Sequence, residues 1–314
     1  MEIAGMESVV NCPKCGECVP VVLKPYQDLM GALMKMIEGS IGVGETLRYH
    51  GAKWRLAPWI ISHFPKHRIY VEPFGGSGSV LLRKGRSQVE VYNDLDGEIV
   101  NLFRVARDNG AELSRLVFLT PYSRDEFVKS FELSDDPLEQ ARRTIVRSFQ
   151  GFGSGYVTAT EGSKCARPEY GFRIGWRCRG NNPHTNWCHV SDTVMEVLDR
   201  LRGVVIENAS FQVVIKKNNT EDTLIYADPP YLSSERDRGN DYRHEFTVDD
   251  HVELARVLHE AAGPVIVSGY RSELYDDLYH DWKAEECISQ TAGNTKRTEV
   301  IWIKGGDIGL LDFN

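Results

Sequence analysis

The segment Tyr70-Val-Glu-Pro-Phe-Gly-Gly-Ser-Gly-Ser-Val80 runs from an apolar β-like stretch through a glycine cluster into a helical pattern. Glycine is needed where the backbone turns left-handed or passes close to a ligand, so a strand, glycine turn and helix in succession mark a ligand-binding corner. The spacing is not the dinucleotide fingerprint G-x-G-x-x-G. An acid nevertheless follows at a useful distance: Asn93-Asp94 ends the next strand, where a carboxylate can hold ribose hydroxyls. Taken alone, these features also fit an ordinary tight turn with a surface aspartate.

Outward from this corner the pattern alternates. A helix is expected near Lys53 to Phe64, strands over 69–72 and 89–92, and helices over 77–83 and 96–108. After about residue 120, helical patterns at 125–131 and 137–149 lead into a Gly/Arg/aromatic-rich stretch that reads as an insertion. Alternation resumes at Asp192, with a helix to Leu201, strands 204–207 and 223–227, a helix 248–261 and a strand 264–268. Two final β-like runs, 283–289 and 298–304, flank a turn-rich segment and predict an antiparallel hairpin at the sheet edge. Residues 1–45 stand apart as a Cys-containing extension, with a helical stretch at 26–37 and a Gly-rich linker. The expected organisation is that extension, a catalytic domain from 46–120 and 192–314, and an insertion over 121–191.

A second motif carries the chemistry. After the hydrophobic run Thr223-Leu-Ile-Tyr-Ala227 comes Asp228-Pro-Pro-Tyr231, a carboxylate, two rigid prolines and an aromatic ring at the carboxyl end of the sheet. An aryl NH₂ can donate its two hydrogens to the Asp228 carboxylate and the Pro229 carbonyl, which turns the nitrogen lone pair toward an electrophile. Pro229 and Pro230 fix the backbone so that both acceptors are set in advance. Tyr231 offers a face for stacking a base.

With these motifs in order, residues 47–305 resemble the Dam-like, or D12-class, adenine-N6 DNA methyltransferases. Leu47-Arg-Tyr-His-Gly-Ala-Lys-Trp54 is similar to the family's entry motif, with Tyr49 and Ala52 where Trp and Gly are more typical. The resemblance implies a Rossmann-like α/β sheet, S-adenosylmethionine as methyl donor, and methylation of adenine N6 in double-stranded DNA after base flipping, as in restriction-modification systems. It implies catalysis by Asp228, Pro229, Pro230 and Tyr231. It implies cofactor contacts from Tyr49, Ala52, Lys53, Glu72, Phe74, Gly76 and Gly78, and a ribose contact from Asp94. Ser210 and Phe211 would lie against the cofactor's adenine, and Asp228 would close the site. Arg297-Thr-Glu-Val-Ile-Trp-Ile303 is similar to the family's closing edge strand.

The insertion matches the family's target-recognition region in position. The chain carries a net charge of −8, which argues against a phosphate-binding surface spread over the whole molecule. From Gln140 to Val190, however, eight Lys or Arg face two acids. Arg142, Arg147, Gln150, Lys164, Arg167, Arg173, Arg177 and Arg179, with Lys296 and Arg297 in the last hairpin, are therefore the candidate DNA contacts. Aromatic residues interleave them (Phe149, Phe152, Tyr156, Tyr170, Phe172, Trp176, Trp187), a mixture suited to stacking and equally to a small aromatic core.

The seven cysteines are odd in number and do not form a secreted disulfide framework. Cys12 and Cys15 have the spacing of half a zinc ribbon and are candidate zinc ligands, but apart from the overlapping Cys15-Gly-Glu-Cys18 the chain has no second C-x₂-C pair. No apolar run approaches 18 residues and no leader opens the chain, which predicts a cytoplasmic protein without a membrane span, expected to be a monomer. Two alternatives remain at this point: a methyltransferase of RNA or protein amides, and a catalytically silent DNA-binding relative.

Overall fold

The computed structural model describes residues 9–11, 18–20, 51–152, 155–157, 171–174, 182–232, 243–290 and 296–305. The chain divides into two compact units, Met1–Gly42 and Val43–Asn314. In the first, β1 (Val9–Asn11) and β2 (Cys18–Pro20) pair antiparallel, with Asn11 opposite Cys18. Cys12, Cys15 and the stretch 26–37 lie outside the described residues.

The second unit is built on β3 (Ile69–Glu72), β4 (Val89–Asn93), β5 (Val204–Glu207), β6 (Thr223–Ala227), β7 (Val265–Gly269), β8 (Lys283–Gln290) and β9 (Lys296–Lys304). These form one sheet in the order β5-β4-β3-β6-β7-β9-β8, parallel except for β9. The helices are α1 (Ala57–Ile61), α2 (Ser79–Arg83), α3 (Gly97–Leu119), α4 (Arg124–Lys129), α5 (Pro137–Gln150), α6 (Pro183–Trp187), α7 (Val190–Leu201), α8 (Phe211–Lys217), α9 (Val248–His259) and α10 (Glu273–Leu278).

Strand periodicity assigns the helices to two faces. Tyr70, Tyr92, Leu224, Tyr226 and Ile266 point into one core with α1, α2, α3, α5 and α7. Their neighbours Val71, Val91, Ile225, Val265 and Val267 point into the other, with α8, α9 and α10. Strands β6 and β7 are buried along their whole length, as parallel strands covered on both faces must be. The mostly parallel α/β sheet expected from the sequence is therefore present.

Chain order along the sheet reverses between β3 and β6: β3, β4 and β5 step one way, β6 and β7 the other. The loops leaving β3 and β6 diverge at this switch point and open a crevice at the carboxyl ends of the strands.

Three expectations are corrected. The closing strand β9 is not the edge; it lies between β7 and β8. Its Val300, Ile301, Trp302 and Ile303 are buried on both faces, whereas β8 is polar and exposed, so burial favours β9 in the interior. The helix expected near Lys53 to Phe64 is only Ala57–Ile61, starting beside Pro58. The helix that begins at Gly97 runs on to Leu119, with non-helical backbone at Asn109. Helices α8 and α10 went unread because each is too short to show a period.

Candidate active site

The glycine corner is built by close approach. The Gly75 N–H donates to the Asn93 carbonyl (2.7 Å), and a Cβ on Gly75 would stand 2.1 Å from the Tyr92 ring. That ring stacks on Phe103 (4.3 Å), and its hydroxyl donates to the Gly76 carbonyl (2.7 Å), so it cannot retreat. Gly78 has φ +64° and starts α2, facing Phe103 instead of the crevice.

A cavity of about 290 Å³ opens in this crevice. Of the residues expected around a cofactor, Ala52, Lys53, Glu72, Phe74, Gly76, Asp94, Ser210, Phe211 and Asp228 all line it. Tyr49 lies outside the described residues. Phe74 and Phe211 meet at 5.5 Å, and Phe246 closes on both, at 5.4 and 5.8 Å. Phe211 is at once part of the core and of the cavity wall.

Asp94 accepts hydrogen bonds from the Gly76 N–H (2.7 Å) and the Asp96 N–H (2.8 Å), which aims its carboxylate at the corner. Burial nevertheless pushes it up to about 6. Glu72 accepts from the Tyr70 hydroxyl (2.8 Å) and the Leu81 N–H (3.1 Å) on one oxygen. Burial outweighs those bonds and raises it to about 8. A cavity with acids held this way favours a ligand carrying positive charge and hydroxyls.

Asp228 follows β6 directly and lines the same cavity. Burial raises its pKa, and the Lys53 ammonium, 3.1 Å from Oδ1, opposes that rise. The Lys53 ammonium also donates to the Gly51 carbonyl (2.9 Å) and sits 4.6 Å from the centre of the Tyr231 ring. Expected as a cofactor contact, Lys53 thus directs its charge at the Asp228 carboxylate. Pro230 lines the cavity; Tyr231 is 7% exposed, with Tyr270 edge-on at 4.7 Å.

Several candidate DNA contacts are corrected. Arg142 donates to Glu139 through two nitrogens (both 2.7 Å), to Glu126 (2.8 Å) and to Thr120 (3.0 Å). Arg147 pairs with Glu98, and the buried Gln150 amide donates to the Pro121 carbonyl (3.1 Å). All three lock α5 to α3 and α4 and are not available to phosphates or base edges. The basic window misled because it began one residue after Glu139, and because Glu98 and Glu126 come from elements distant in sequence. Helix α5 shares its core with the sheet through Ala141, Ile145 and Val146.

The aromatic residues divide likewise. Phe149 packs against Trp187, and Tyr156 and Phe172 join Tyr122, Phe127 and Phe131 in a cluster, so these rings are not base-stacking groups. Phe152 is 72% exposed, beside the point where Gly151 bridges Phe172. Arg173 is partly exposed there. Lys164, Arg167, Arg177, Arg179, Tyr170 and Trp176 fall outside the described residues. Lys296 and Arg297 begin β9, and the pairing of Gly269 with Val300 puts that start at the carboxyl end of β7, the side of Asp228.

Sequence reasoning missed two groups at the cavity. The Asn93 amide donates to the carbonyls of Pro73 (2.8 Å) and Ala209 (3.0 Å), and its oxygen accepts from the Ala209 N–H (2.9 Å). It thereby clamps the two loops that flank the cavity. Its signal was the buried polar residue just before Asp94. Arg243 donates to Asp96 (2.7 Å), pairs with Glu98 (3.1 Å) and lines the cavity; nothing in the sequence marked it. Among the described residues no cluster of His, Cys, Asp or Glu could hold a metal, and no helix is long and apolar enough to cross a membrane.

Known proteins match this arrangement. Residues 49–293 match the model of the D12 class N6 adenine-specific DNA methyltransferases. A Type II methyltransferase, M1.LlaDCHI of Lactococcus lactis subsp. cremoris, is 27% identical, over 84% of this chain and 96% of that protein. The DNA adenine methylase of Escherichia coli K12 is 23% identical, over 81% and 92%. The retron Ec67 DNA adenine methylase of Escherichia coli is 27% identical, over 82% and 90%. An rRNA methyltransferase, aviRa of Streptomyces viridochromogenes, overlays with a TM-score of 0.39 at 14% identity, covering 83% of this chain and 90% of that one, too loosely to bear on substrate. With the glycine corner, Asp94, Asp228 and Pro230 on one cavity and a family match over most of its length, this chain belongs to the D12 class N6 adenine-specific DNA methyltransferases.

Proposed function

We propose that this chain methylates adenine N6 in double-stranded DNA from S-adenosylmethionine, with Asp228 and the Pro229 carbonyl as acceptors for the target amine. The observation that carries the reading is that one cavity brings together Glu72 at the end of β3 and the acids that immediately follow β4 and β6, Asp94 and Asp228. Bound there, S-adenosylmethionine supplies an electrophilic methyl group. The residues fit it: Glu72 can take its ammonium, Asp94 its ribose hydroxyls, and Phe74 and Phe211 give apolar walls to its purine. Ala52, Gly76 and Ser210 complete those walls, and Tyr49, three residues before Ala52 in the sequence, stays a proposed contact.

The target amine is a weak nucleophile because its lone pair is delocalised into the ring. Asp228 and Pro229 hold its hydrogens and free that lone pair, so positioning and electrostatics lower the barrier without a covalent enzyme intermediate. Lys53 supports this by opposing the protonation of Asp228. The site is recessed in the crevice, so an adenine reaches it only when extruded from the duplex, with Tyr231 at its face. Arg173, Lys164, Arg167, Arg177, Arg179, Lys296 and Arg297 remain the proposed DNA contacts. We further propose a monomer acting in the cytoplasm, and zinc at Cys12 and Cys15, which metal analysis of the purified chain tests.

The decisive experiment supplies labelled S-adenosylmethionine and mixed-sequence DNA and maps the modified base. Wild type is expected to label adenine N6. Asp228→Ala should abolish turnover and leave cofactor binding within a few-fold; normal methylation by that variant would overturn the proposal.

A further inference from the structure

Tyr231 sits beside Asp228, yet its hydroxyl donates to Glu299 of β9 (2.9 Å). Both residues are 7% exposed. Burial and the two neighbouring carboxylates, Asp228 and Glu299, raise the Tyr231 phenol well above its usual range. The phenol therefore keeps its proton and must donate it to some acceptor. Two carboxylates stand beside it, because the Tyr231 hydroxyl also bears on Asp228 and helps hold its pKa down. Glu299 is the one that receives it, at a good distance. The strand places Glu299 there as the only charged residue in the run Val300 to Ile303 and its two preceding positions, Thr298 and Glu299.

We infer that Glu299 is a positioning residue: by accepting the Tyr231 hydroxyl it fixes that ring and keeps the phenol from capping the Asp228 carboxylate that the target amine needs. The reasoning rests on the role given to Asp228 above. Without an acceptor at 299 the buried phenol turns to the nearest remaining carboxylate, which is Asp228, and the amine must then compete with it. Tyr270, edge-on to the Tyr231 ring, and Lys53 over it hold the ring in place while this happens.

The test compares variants of matched shape in the full-length protein, by single-turnover methylation of adenine in DNA. Glu299→Met removes the acceptor without opening a cavity and is expected to slow the chemical step on the order of tenfold, the scale of one buried hydrogen bond to a charged group. Cofactor affinity and melting temperature should be little changed. Glu299→Gln, whose amide oxygen still accepts, is expected to stay within about threefold of wild type. In the Glu299→Met background, adding Tyr231→Phe deletes the hydroxyl that caps Asp228 and should recover most of the lost rate. A purely structural role for Glu299 predicts no such recovery. A Glu299→Met rate equal to wild type, a Glu299→Gln rate as low as Glu299→Met, or a double variant slower than either single one would overturn the inference. Asp228→Ala run in parallel separates the failures: if it still methylates, the reading of Asp228 has failed; if it is inactive while Glu299→Met is unaffected, only this inference has.

Discussion

Asn93→Ala tests whether the cofactor site is assembled by one buried amide. The side chain is 1% exposed and makes three hydrogen bonds, to the Pro73 carbonyl, the Ala209 carbonyl and the Ala209 N–H. Truncation leaves three backbone groups without partners, and each such buried group costs about 1–3 kcal/mol. At the lower end, with water reaching part of the gap, the total is about 3 kcal/mol. Because the bonds join the loop after β3 to the loop before α8, the loss divides between the fold and the binding of the cofactor those loops flank. With about 1.6 kcal/mol of that falling on the fold, differential scanning should show a melting temperature lower by about 3–6 °C, at roughly 2–4 °C per kcal/mol for a domain of this size. Calorimetric titration with S-adenosylmethionine should show affinity weaker by on the order of tenfold, about 1.4 kcal/mol. Asn93→Asp should do no better, since it sets a carboxylate against two carbonyls. An Asn93→Ala protein that melts and binds cofactor as wild type does would refute the clamp.

Glu72 links binding to protons. The folded chain holds its proton up to about pH 8, whereas an exposed glutamate releases it near 4.5, so across that window the native state binds more protons than the unfolded one. Stability contributed by this group therefore falls as pH rises from about 4.5 to 8, and Glu72→Gln should flatten that slope. An ammonium placed beside Glu72 favours its charged form, so cofactor binding near pH 7 should release a proton. Titrations in buffers of different ionisation enthalpy will detect it, and no buffer dependence would rule it out. The basic residues separate by salt: Arg147→Ala breaks a buried ion pair and should lower the melting temperature yet leave the salt dependence of DNA binding unchanged. Neutralising Lys296 and Arg297 together should instead reduce the log–log slope by about 2 and leave melting unaffected, because each phosphate contact contributes about 0.9. The opposite pattern would return α5 to the DNA interface.

The alternating apolar runs, the glycine corner and Asp228-Pro-Pro-Tyr231 were sufficient to read a parallel α/β sheet, the crevice at its carboxyl ends and the chemistry of an aryl amine. These features are local: strand periodicity, positive φ at Gly78 and a proline-fixed backbone after Asp228 are set by neighbours in sequence. What depends on distant residues was not legible. Arg142 and Arg147 look like free cations until α5 docks beside Glu126 and Glu98, and Phe172 looks like a stacking platform until Tyr122 and Phe127 surround it. The order of β9 and β8 was decided by which strand could be buried on both faces. The Lys53 contact with Asp228 and the Glu299 contact with Tyr231 join groups 175 and 68 residues apart, and only packing brings them together. A charge announces itself in the sequence, but its partner, and hence whether it is free to meet a ligand, is set by tertiary contact.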